Sequence, residues 1–227
     1  MNSMYEILME LPMFQGVSRD KLSELIEKTP FHFLKYADGE EVVSAGSACT
    51  HIKFLISGEV MVEIPCRNLR IKIRETLSSP NVLGPEYLFG RKTEYPYNIY
   101  SRGECGILQI AKSDFINILH SDNIFLFNML NILSRNSQKN AEELLSLSAG
   151  SVSERFAYIV VSLTQHNAKD IKILYKQKDM CSLLGIQRSS FINAMDKLKD
   201  AGVIDYTLSE IMVNDRRVLF DIMRAAE

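Results

Sequence analysis

The most constraining feature of the sequence is a pair of short helical patterns on either side of one glycine. They occupy the stretch KQKDMCSLLGIQRSSFINAMDKLKDAGVI, residues 176–204, in which apolar residues recur at helical spacing before and after Gly185. Glycine tolerates the positive φ of a tight turn, and Ile186 after it can fill the angle between the two helices. The stretch therefore predicts a helix-turn-helix.

The second of these helices begins with polar residues. Arg188, Ser189, Ser190 and Asn193 fall near its N-terminal end, which in a helix-turn-helix is the part that reaches base edges in the major groove of DNA. A helical hairpin buried in a core would not need polar residues there. The sequence therefore predicts a DNA-reading helix, and the alternative for Arg188 alone is a solvated residue at a helix start.

Composition limits the class of protein. The 227 residues are enough for two domains, and a hydrophobic content of 46% is enough to give each a core. Because the formal net charge is −2, attraction to DNA must come from a local patch. The sequence contains no Ser/His/Asp arrangement, carboxylate pair or phosphate-binding loop, so we do not expect an enzyme.

The cysteines and histidines are scattered. Cys49, Cys66, Cys105 and Cys181 form no CxxC pair, which argues against a zinc site or a disulfide framework, and four isolated histidines predict no cofactor. The N-terminus lacks a signal-peptide pattern, and no run of 18 apolar residues occurs. We expect a cytoplasmic protein with no membrane partner.

The pattern changes twice along the chain. A short amphipathic helix, with Ser18 as its predicted N-cap and Pro30 after it, precedes β-rich runs that extend to about residue 112. These runs predict a small antiparallel barrel or roll. A long helix follows, and after it a helix capped by Ser151 or Ser153 leads into the helix-turn-helix. The last run alternates around a turn at Ser209-Glu210, as a two-stranded wing would.

The long helix, with Asp122 as its predicted N-cap, carries a seam at steps of three and four residues that suits a partner helix. Packing of this helix on its own domain is the alternative. Polar residues within the seam favour dimerisation, because such interruptions set the register between helices. The seam consists of Leu126, Met129 or Leu130, Leu133, Ser137, Asn140, Leu144 and Leu147.

One β-rich run is strongly basic. In RNLRIKIR, Arg70, Lys72 and Arg74 alternate with Ile71 and Ile73. Charged residues of this kind protect an exposed strand from pairing with other chains. We therefore expect an edge strand here and no ligand site.

The order of β-roll, long helix and winged helix-turn-helix resembles the family of the catabolite activator protein and the Fnr-type regulators over nearly all of the chain. MFQGVSRDKLSELIE, GEEVVSAGSACTHIKFLISGEVMV, SVSERFAYIV and LLGIQRSSFINAMDKLKDAGVI are similar to that family's lead helix, roll hairpins, hinge helix and DNA-reading unit. The resemblance implies an α+β fold. The domains that the resemblance implies are a cyclic-nucleotide-binding-like β-roll (jelly roll) with its lead helix at 1–120, a dimerisation helix at 121–148 and a winged helix-turn-helix at 149–227.

The resemblance also implies a function. It predicts a homodimeric, sequence-specific transcription regulator that binds a palindromic double-stranded DNA operator and contacts RNA polymerase. The alternative is a sensor or interaction module whose C-terminal domain binds protein and not DNA. A protein-binding face would not need Arg188, Ser189 and Asn193 together at one helix start.

Roles within the helix-turn-helix follow from the same resemblance. Arg188 matches the family's guanine-reading arginine, and a guanidinium can bond O6 and N7 of guanine together. Ser189 and Asn193 stand where better-known members carry a glutamate and a second arginine, so the preferred base sequence should differ. Lys178 and Ser190 match phosphate-contacting positions. The predicted DNA-binding residues are Lys178, Arg188, Ser189, Ser190, Asn193 and Lys197.

The family's cyclic-nucleotide cassette, Gly-Glu-x-x-Leu-Phe followed by Arg-Ser-Ala, is altered in the matching stretch LGPEYLFGRKTEYPYNIYSRG. Gly84 is kept, but Pro85 stands at the ribose-binding glutamate, with Glu86 one residue late. Tyr95 stands at the phosphate-binding arginine, and Pro96 after it removes one backbone N–H donor. A buried phosphate without the arginine lacks a charge-assisted partner. We therefore expect neither cyclic AMP nor cyclic GMP, and the effector is unknown.

Two alternatives stay open at this cassette. Its tyrosines either fill the cavity or line a pocket for an apolar or aromatic ligand. Arg91 is either a substitute phosphate partner or, as the loop composition favours, a solvated residue. An iron–sulfur cluster is not expected, because the first cysteine is Cys49. The candidate ligand-binding residues are Gly84, Glu86, Leu88, Arg91, Tyr95, Tyr97 and Asn140.

Overall fold

The computed structural model describes residues 4–66, 69–146 and 150–224, without the side chains of residues 136–146. It divides into two compact units. Unit 1 comprises Met1–Met61 and Ser78–Ser137, and unit 2 comprises Val62–Leu77 and Gln138–Glu227. The predicted domains, 1–120, 121–148 and 149–227, stay a prediction, but residues 62–77 group with the C-terminal part of the chain.

Eight α-helices and nine β-strands make up the described chain. The first half contains α1 (Met4–Glu10), α2 (Arg19–Lys28), β1 (His32–Tyr36), β2 (Glu41–Val43), β3 (His51–Cys66), β4 (Ile71–Ser78), β5 (Asn81–Leu83), β6 (Asn98–Ala111) and α3 (Lys112–Ser121). The second half contains α4 (Asn123–Ser146), α5 (Val152–Leu163), β7 (Lys169–Leu174), α6 (Gln177–Leu184), α7 (Arg188–Asp200), β8 (Ile204–Tyr206), β9 (Glu210–Val213) and α8 (Arg216–Arg224).

Unit 1 is built on antiparallel strands, as the β-rich runs predicted. Strand β6 pairs with β1 and with β2, and β3 pairs with β5. Ahead of them, the Ser18 side chain accepts a hydrogen bond from the Lys21 N–H (3.3 Å) and caps α2. The antiparallel N-terminal domain is therefore confirmed.

Three phenylalanines hold the helices of unit 1 to its strands. Phe14, Phe54 and Phe125 are fully buried, and the Phe14 ring centroid lies 5.8 Å from that of Phe54 and 5.9 Å from that of Phe125. Such tilted and edge-to-face contacts add to the stabilisation from burying the rings. The Asn128 amide on α4 also donates to the carbonyl oxygens of Met13 and Gln15, both at 3.0 Å. The first part of α4 is thereby fixed within unit 1.

Unit 2 contains the C-terminal helices and a short antiparallel sheet in the order β4-β7-β9-β8. Helices α5, α6, α7 and α8 and the strands share one apolar core. The Ser151 side chain and Glu154 form a capping box at the start of α5, which settles the choice between the two predicted caps.

The prediction that the basic run forms an exposed edge strand is wrong. Strand β4 pairs antiparallel with β7, with Ile73 opposite Ile173. Its basic residues are also paired, because the Glu63 carboxylate contacts Lys72 Nζ at 2.9 Å and Arg74 Nη2 at 2.7 Å. Alternation of charged and apolar residues is the same for an edge strand and for a strand with one covered face, so sequence could not separate the two.

The end of the chain forms the predicted wing and one element that was not predicted. Strands β8 and β9 are antiparallel, and their turn spans residues 207–209, with the Thr207 N–H donating to Glu210 O at 2.8 Å. The turn was predicted at Ser209-Glu210, but Glu210 is already the first residue of β9. Helix α8 then packs on α5.

Candidate nucleic-acid interface and sensor cassette

The turn between α6 and α7 has the geometry that its glycine predicts. Gly185 has φ 64° and ψ 38°, a left-handed conformation that favours glycine. The Ile186 N–H then donates to Cys181 O at 3.0 Å, which satisfies a carbonyl left free at the end of α6. Ile186 is partly buried against the core of unit 2. The predicted wedge between the two helices is therefore present.

Helix α7 is buried on one side and open on the other. Phe191, Ala194, Met195 and Leu198 are buried, and the Phe191 ring lies edge-on to Tyr175 with centroids 5.8 Å apart. The six residues predicted to bind DNA are all exposed; we call them the reading surface. They are Lys178 on α6 and Arg188, Ser189, Ser190, Asn193 and Lys197 on α7.

The first turn of α7 has backbone N–H groups that no side chain caps, and charged side chains without an ion pair in the described part of the chain lie close to it in the sequence. Gln187 precedes the helix and makes no side-chain capping bond, so the first backbone N–H groups are free to meet an anion. Within the described residues, Arg188 and Lys178 form no ion pair. A guanidinium and an ammonium that are not neutralised by carboxylates can contact DNA at no cost of breaking an existing pair.

An arginine outside the motif fixes the end of α6. Arg155 on α5 donates from Nη1 to the Leu184 carbonyl oxygen at 2.9 Å, one residue before the turn glycine. A cation at this end of a helix also interacts favourably with the helix dipole. Sequence reasoning missed this contact, because a single arginine on the polar face of α5 carries no sign of its partner.

The cassette of unit 1 combines buried apolar residues with exposed charged ones. Gly84 has φ 57° and begins a short 3-10 helix at Pro85–Tyr87. Pro85 and Leu88 are buried, whereas Glu86 and Arg91 are exposed. The candidate ligand residue Arg91 therefore lies on the surface, as does part of Glu86, although partial burial raises the pKa of the Glu86 carboxyl group. Asn140 has its side chain outside the described residues.

Three tyrosines pack against one another beside Gly84. The ring centroids of Tyr87, Tyr95 and Tyr97 lie 5.7–6.1 Å apart, and Tyr95 is only 2% exposed. A methyl group added at Gly84 would meet Tyr95 Cε1 at 3.0 Å and would clash with the Tyr97 hydroxyl. The space beside Gly84 is filled by aromatic side chains.

Tyr95 of this cluster is also hydrogen-bonded to a buried thiol. The Cys49 thiol donates a hydrogen bond to the Tyr95 hydroxyl oxygen at 2.9 Å. Burial raises the pKa of Tyr95 and also that of Cys49, so both groups stay protonated. A cyclic phosphate at this position would meet neutral buried groups, and the charged residues that affect the pKa of Cys49 are Lys53, Glu86 and Lys112.

Helix α4 presents an apolar face to solvent. Phe125 and Met129 are buried within unit 1, whereas Leu126 is 39%, Phe127 61% and Leu130 47% exposed. Of the predicted seam, Leu126 and Leu130 are thus on the open face and Met129 is not, and Leu133 is half-buried. Phe127 was not predicted. The positions Ser137, Asn140, Leu144 and Leu147 lie outside the described side chains.

Among the described residues, no cluster of His, Cys, Asp or Glu could hold a metal ion. The described helices likewise include none that is long and apolar enough to cross a membrane.

Comparisons with known proteins agree with both halves of the chain. The family model of the cyclic nucleotide-binding domain matches residues 33–122, and that of the Crp-like helix-turn-helix domain matches residues 154–222. No curated protein sequence matches the chain.

Solved structures share the fold at low identity. The catabolite activator protein of Thermus thermophilus is 16% identical, with a TM-score of 0.55 over 95% of this chain and 100% of that one. A mutant of CooA from Carboxydothermus hydrogenoformans is 15% identical, with a TM-score of 0.52 over 94% and 95%. With a cyclic-nucleotide-binding-type domain followed by a Crp-like helix-turn-helix on this fold, the chain belongs to the Crp/Fnr family of transcription regulators.

Proposed function

We propose that the protein is a dimeric regulator in which two copies of α7 read the two halves of a palindromic DNA operator. The observation that supports this most directly is the open face of α7. Arg188, Ser189 and Asn193 are exposed at the start of a helix whose other side is buried, so the polar residues are held rigidly outward. A helix of this kind can enter the major groove.

Reading and positioning are divided among the residues of the reading surface. We assign base reading to Arg188, with Ser189 and Asn193 beside it, because a guanidinium is matched to two acceptors of guanine. We assign phosphate contact to Lys178, Ser190 and Lys197, since an ammonium or hydroxyl group fixes register without reading sequence.

Dimerisation uses the exposed face of α4. Leu126, Phe127 and Leu130 form an apolar patch on one helix, and twofold pairing of that helix would cover it. A twofold dimer also matches a palindromic operator. We expect light scattering to give a dimer at micromolar concentration without DNA.

A charge in this patch tests the interface. Leu130→Glu should shift the protein toward the monomer, because pairing would then bury an unpaired carboxylate. Leu208→Glu is the control, since Leu208 is 83% exposed in the wing turn and the same change there should leave the dimer intact. A monomeric wild type, or equal behaviour of the two variants, would contradict this interface.

Control by cyclic AMP or cyclic GMP is not part of the proposal. The buried Tyr95 and the packing of Tyr97 on Gly84 support a sensor that does not use them. Any effector is of another chemistry. Contact with RNA polymerase is an expectation of the family alone.

Selection of bound DNA from a random pool tests the function directly. The expected product is a palindrome whose half-sites are about one helical turn apart, with a fixed guanine in each half. If the full-length protein enriches no sequence, DNA reading by α7 is wrong, and a C-terminal domain that binds protein becomes the better hypothesis.

A further inference from the structure

The edge of β7 is occupied by a strand from the sensor half of the sequence. Strand β4 lies between strands of the β-roll in chain order, but residues 62–77 belong to unit 2. The antiparallel register runs from Lys72 opposite Leu174 to Thr76 opposite Lys169. A winged helix-turn-helix is thus completed by a strand added to its sheet, a mode in which main-chain hydrogen bonds supply much of the attachment.

Carboxyl groups tie one end of the added strand to α6 and the other end to the segment that follows α5. The Arg70 N–H donates to Asp179 Oδ2 at 3.1 Å, in the first turn of α6. At the other end the Glu75 carboxylate accepts from the Gln165 N–H at 2.7 Å, and Glu75 is only 2% exposed. Each end of the strand is therefore held by a hydrogen bond between a backbone N–H and a carboxyl oxygen.

The middle of the strand is part of the core under the helix-turn-helix. Ile71 and Ile73 are each 3% exposed. They belong to the same buried cluster as Met180 of α6 and Phe191 of α7. Withdrawal of the strand would expose both isoleucines and leave the two helices with fewer apolar partners.

None of these attachments covers the reading surface. Lys178, Arg188, Ser189, Ser190, Asn193 and Lys197 stay exposed while β4 is paired with β7. The added strand therefore supports α6 and α7 without competing with DNA.

We propose that the edge of β7 is a docking site for residues 69–76, and that their docking positions α6 and α7 for DNA. The inference rests on the proposed function. Strands β3 and β4 continue along the chain into unit 1, so the docked segment is covalently continuous with the sensor. Asp179 and Glu75 act here as positioning residues, through the backbone of their partners.

The first test removes the donor of one attachment. Arg70→Pro deletes the N–H that binds Asp179, and Arg70→Ala keeps that N–H while losing the same charge. We expect Arg70→Pro to bind the selected operator about tenfold or more weakly than Arg70→Ala, as for loss of a hydrogen bond to a charged group. Hydrogen exchange of the β7 amides should be faster in Arg70→Pro than in the wild type, and it should be unchanged in Arg70→Ala.

The second test removes the acceptor and separates positioning from charge. Asp179 neighbours Lys178, so loss of its negative charge should by electrostatics strengthen DNA binding. Asp179→Asn loses the charge and keeps an acceptor oxygen, whereas Asp179→Ala loses both. Weaker binding by Asp179→Ala than by Asp179→Asn is the result that docking predicts and that charge removal cannot produce. If Arg70→Pro does not fold, the comparison of Asp179→Ala with Asp179→Asn is by itself the test of the inference.

Equal operator affinity within both pairs of variants would overturn the inference. A wild-type protein that selects no DNA would instead remove the proposed function, and the positioning role with it. Hydrogen exchange of β7 would in that case still report whether the strand docks.

Discussion

The reading surface and the cassette of unit 1 are the two regions for which the family resemblance predicts ligands, and their side chains are arranged in opposite ways. At α7, an arginine stands exposed and without an ion pair among the described residues. At the cassette, Tyr95, which the resemblance aligns with the family's phosphate-binding arginine, is 2% exposed and accepts a hydrogen bond from the Cys49 thiol.

The contrast teaches that two regions of one fold can differ in whether their side chains are open to a charged ligand. A DNA-reading helix needs outward polar residues over a buried apolar side, and α7 has both. An anion pocket needs open space, and the space beside Gly84 is filled by Tyr95 and Tyr97. Function must therefore be argued for each site from its own side chains, even when the whole fold is shared.

The largest effect is expected when one ring of the tyrosine cluster is removed. Tyr95→Ala should lower the free energy of unfolding of unit 1 by about 3 to 5 kcal/mol, as for truncation of other large buried aromatic residues. Tyr95→Phe is the control, because it keeps the ring and loses only the bond with Cys49, worth about 1 kcal/mol. Urea unfolding followed by circular dichroism measures both. Near-native stability of Tyr95→Ala would mean that the tyrosines line an open pocket.

The next effect concerns the reading arginine. Arg188→Ala should weaken binding to the selected operator by about 1 to 3 kcal/mol and relax the choice at one base pair in each half-site. Arg217→Ala is the matched control, since Arg217 on α8 is ion-paired with Asp215 and loses the same charge. Gel-shift titrations on the operator and on single-base variants give both quantities. Unchanged base preference in Arg188→Ala would disprove its reading role.

A smaller and less specific effect is expected at Lys178. Lys178→Ala should weaken binding to all sequences alike and reduce the salt dependence by about one counterion per subunit, because it removes one phosphate contact. Binding measured over a range of salt concentrations provides the slope. If Lys178→Ala altered base preference, or left the slope unchanged, the division between reading and positioning residues would be wrong.

The smallest expected effect is that of added cyclic nucleotides. Cyclic AMP and cyclic GMP should show no saturable binding in the micromolar range by titration calorimetry, because Tyr95 fills the phosphate position. Saturable binding near one per subunit would refute the filled cavity. Arg91→Ala would then show whether this exposed arginine has become the phosphate partner.

The sequence was most informative where a backbone conformation or a local bond decides the structure. Gly185 takes the left-handed conformation that its turn requires, and Ser18 and Ser151 cap the helices that follow them. These features depend on residues within four positions of one another. The helix-turn-helix and the antiparallel N-terminal domain could therefore be predicted.

What the sequence could not predict depends on distant partners. Pairing of β4 with β7 joins residues about 100 positions apart in the chain. The alternating pattern of β4 is the same whether its edge is free or paired with another strand. Whether the tyrosines fill or line a cavity is decided by how their rings pack, which composition does not specify. The predicted turn at Ser209-Glu210 was off by one or two residues for an ordinary reason, since element boundaries are the least determined part of a pattern.

The contacts of α8 bear on where the chain can be shortened or fused. Arg216 is 8% exposed and donates from Nη2 to Val161 O at 2.8 Å and to Thr164 O at 3.1 Å, and from Nε to Thr164 Oγ1 at 3.0 Å. It thus supplies donors to the carbonyl groups that α5 leaves open at its C-terminal end. A stop codon or protease cut ahead of Arg216 would remove more than a tail: α5 would lose its terminal donors and its packing partner, so a reporter or affinity tag belongs beyond residue 224.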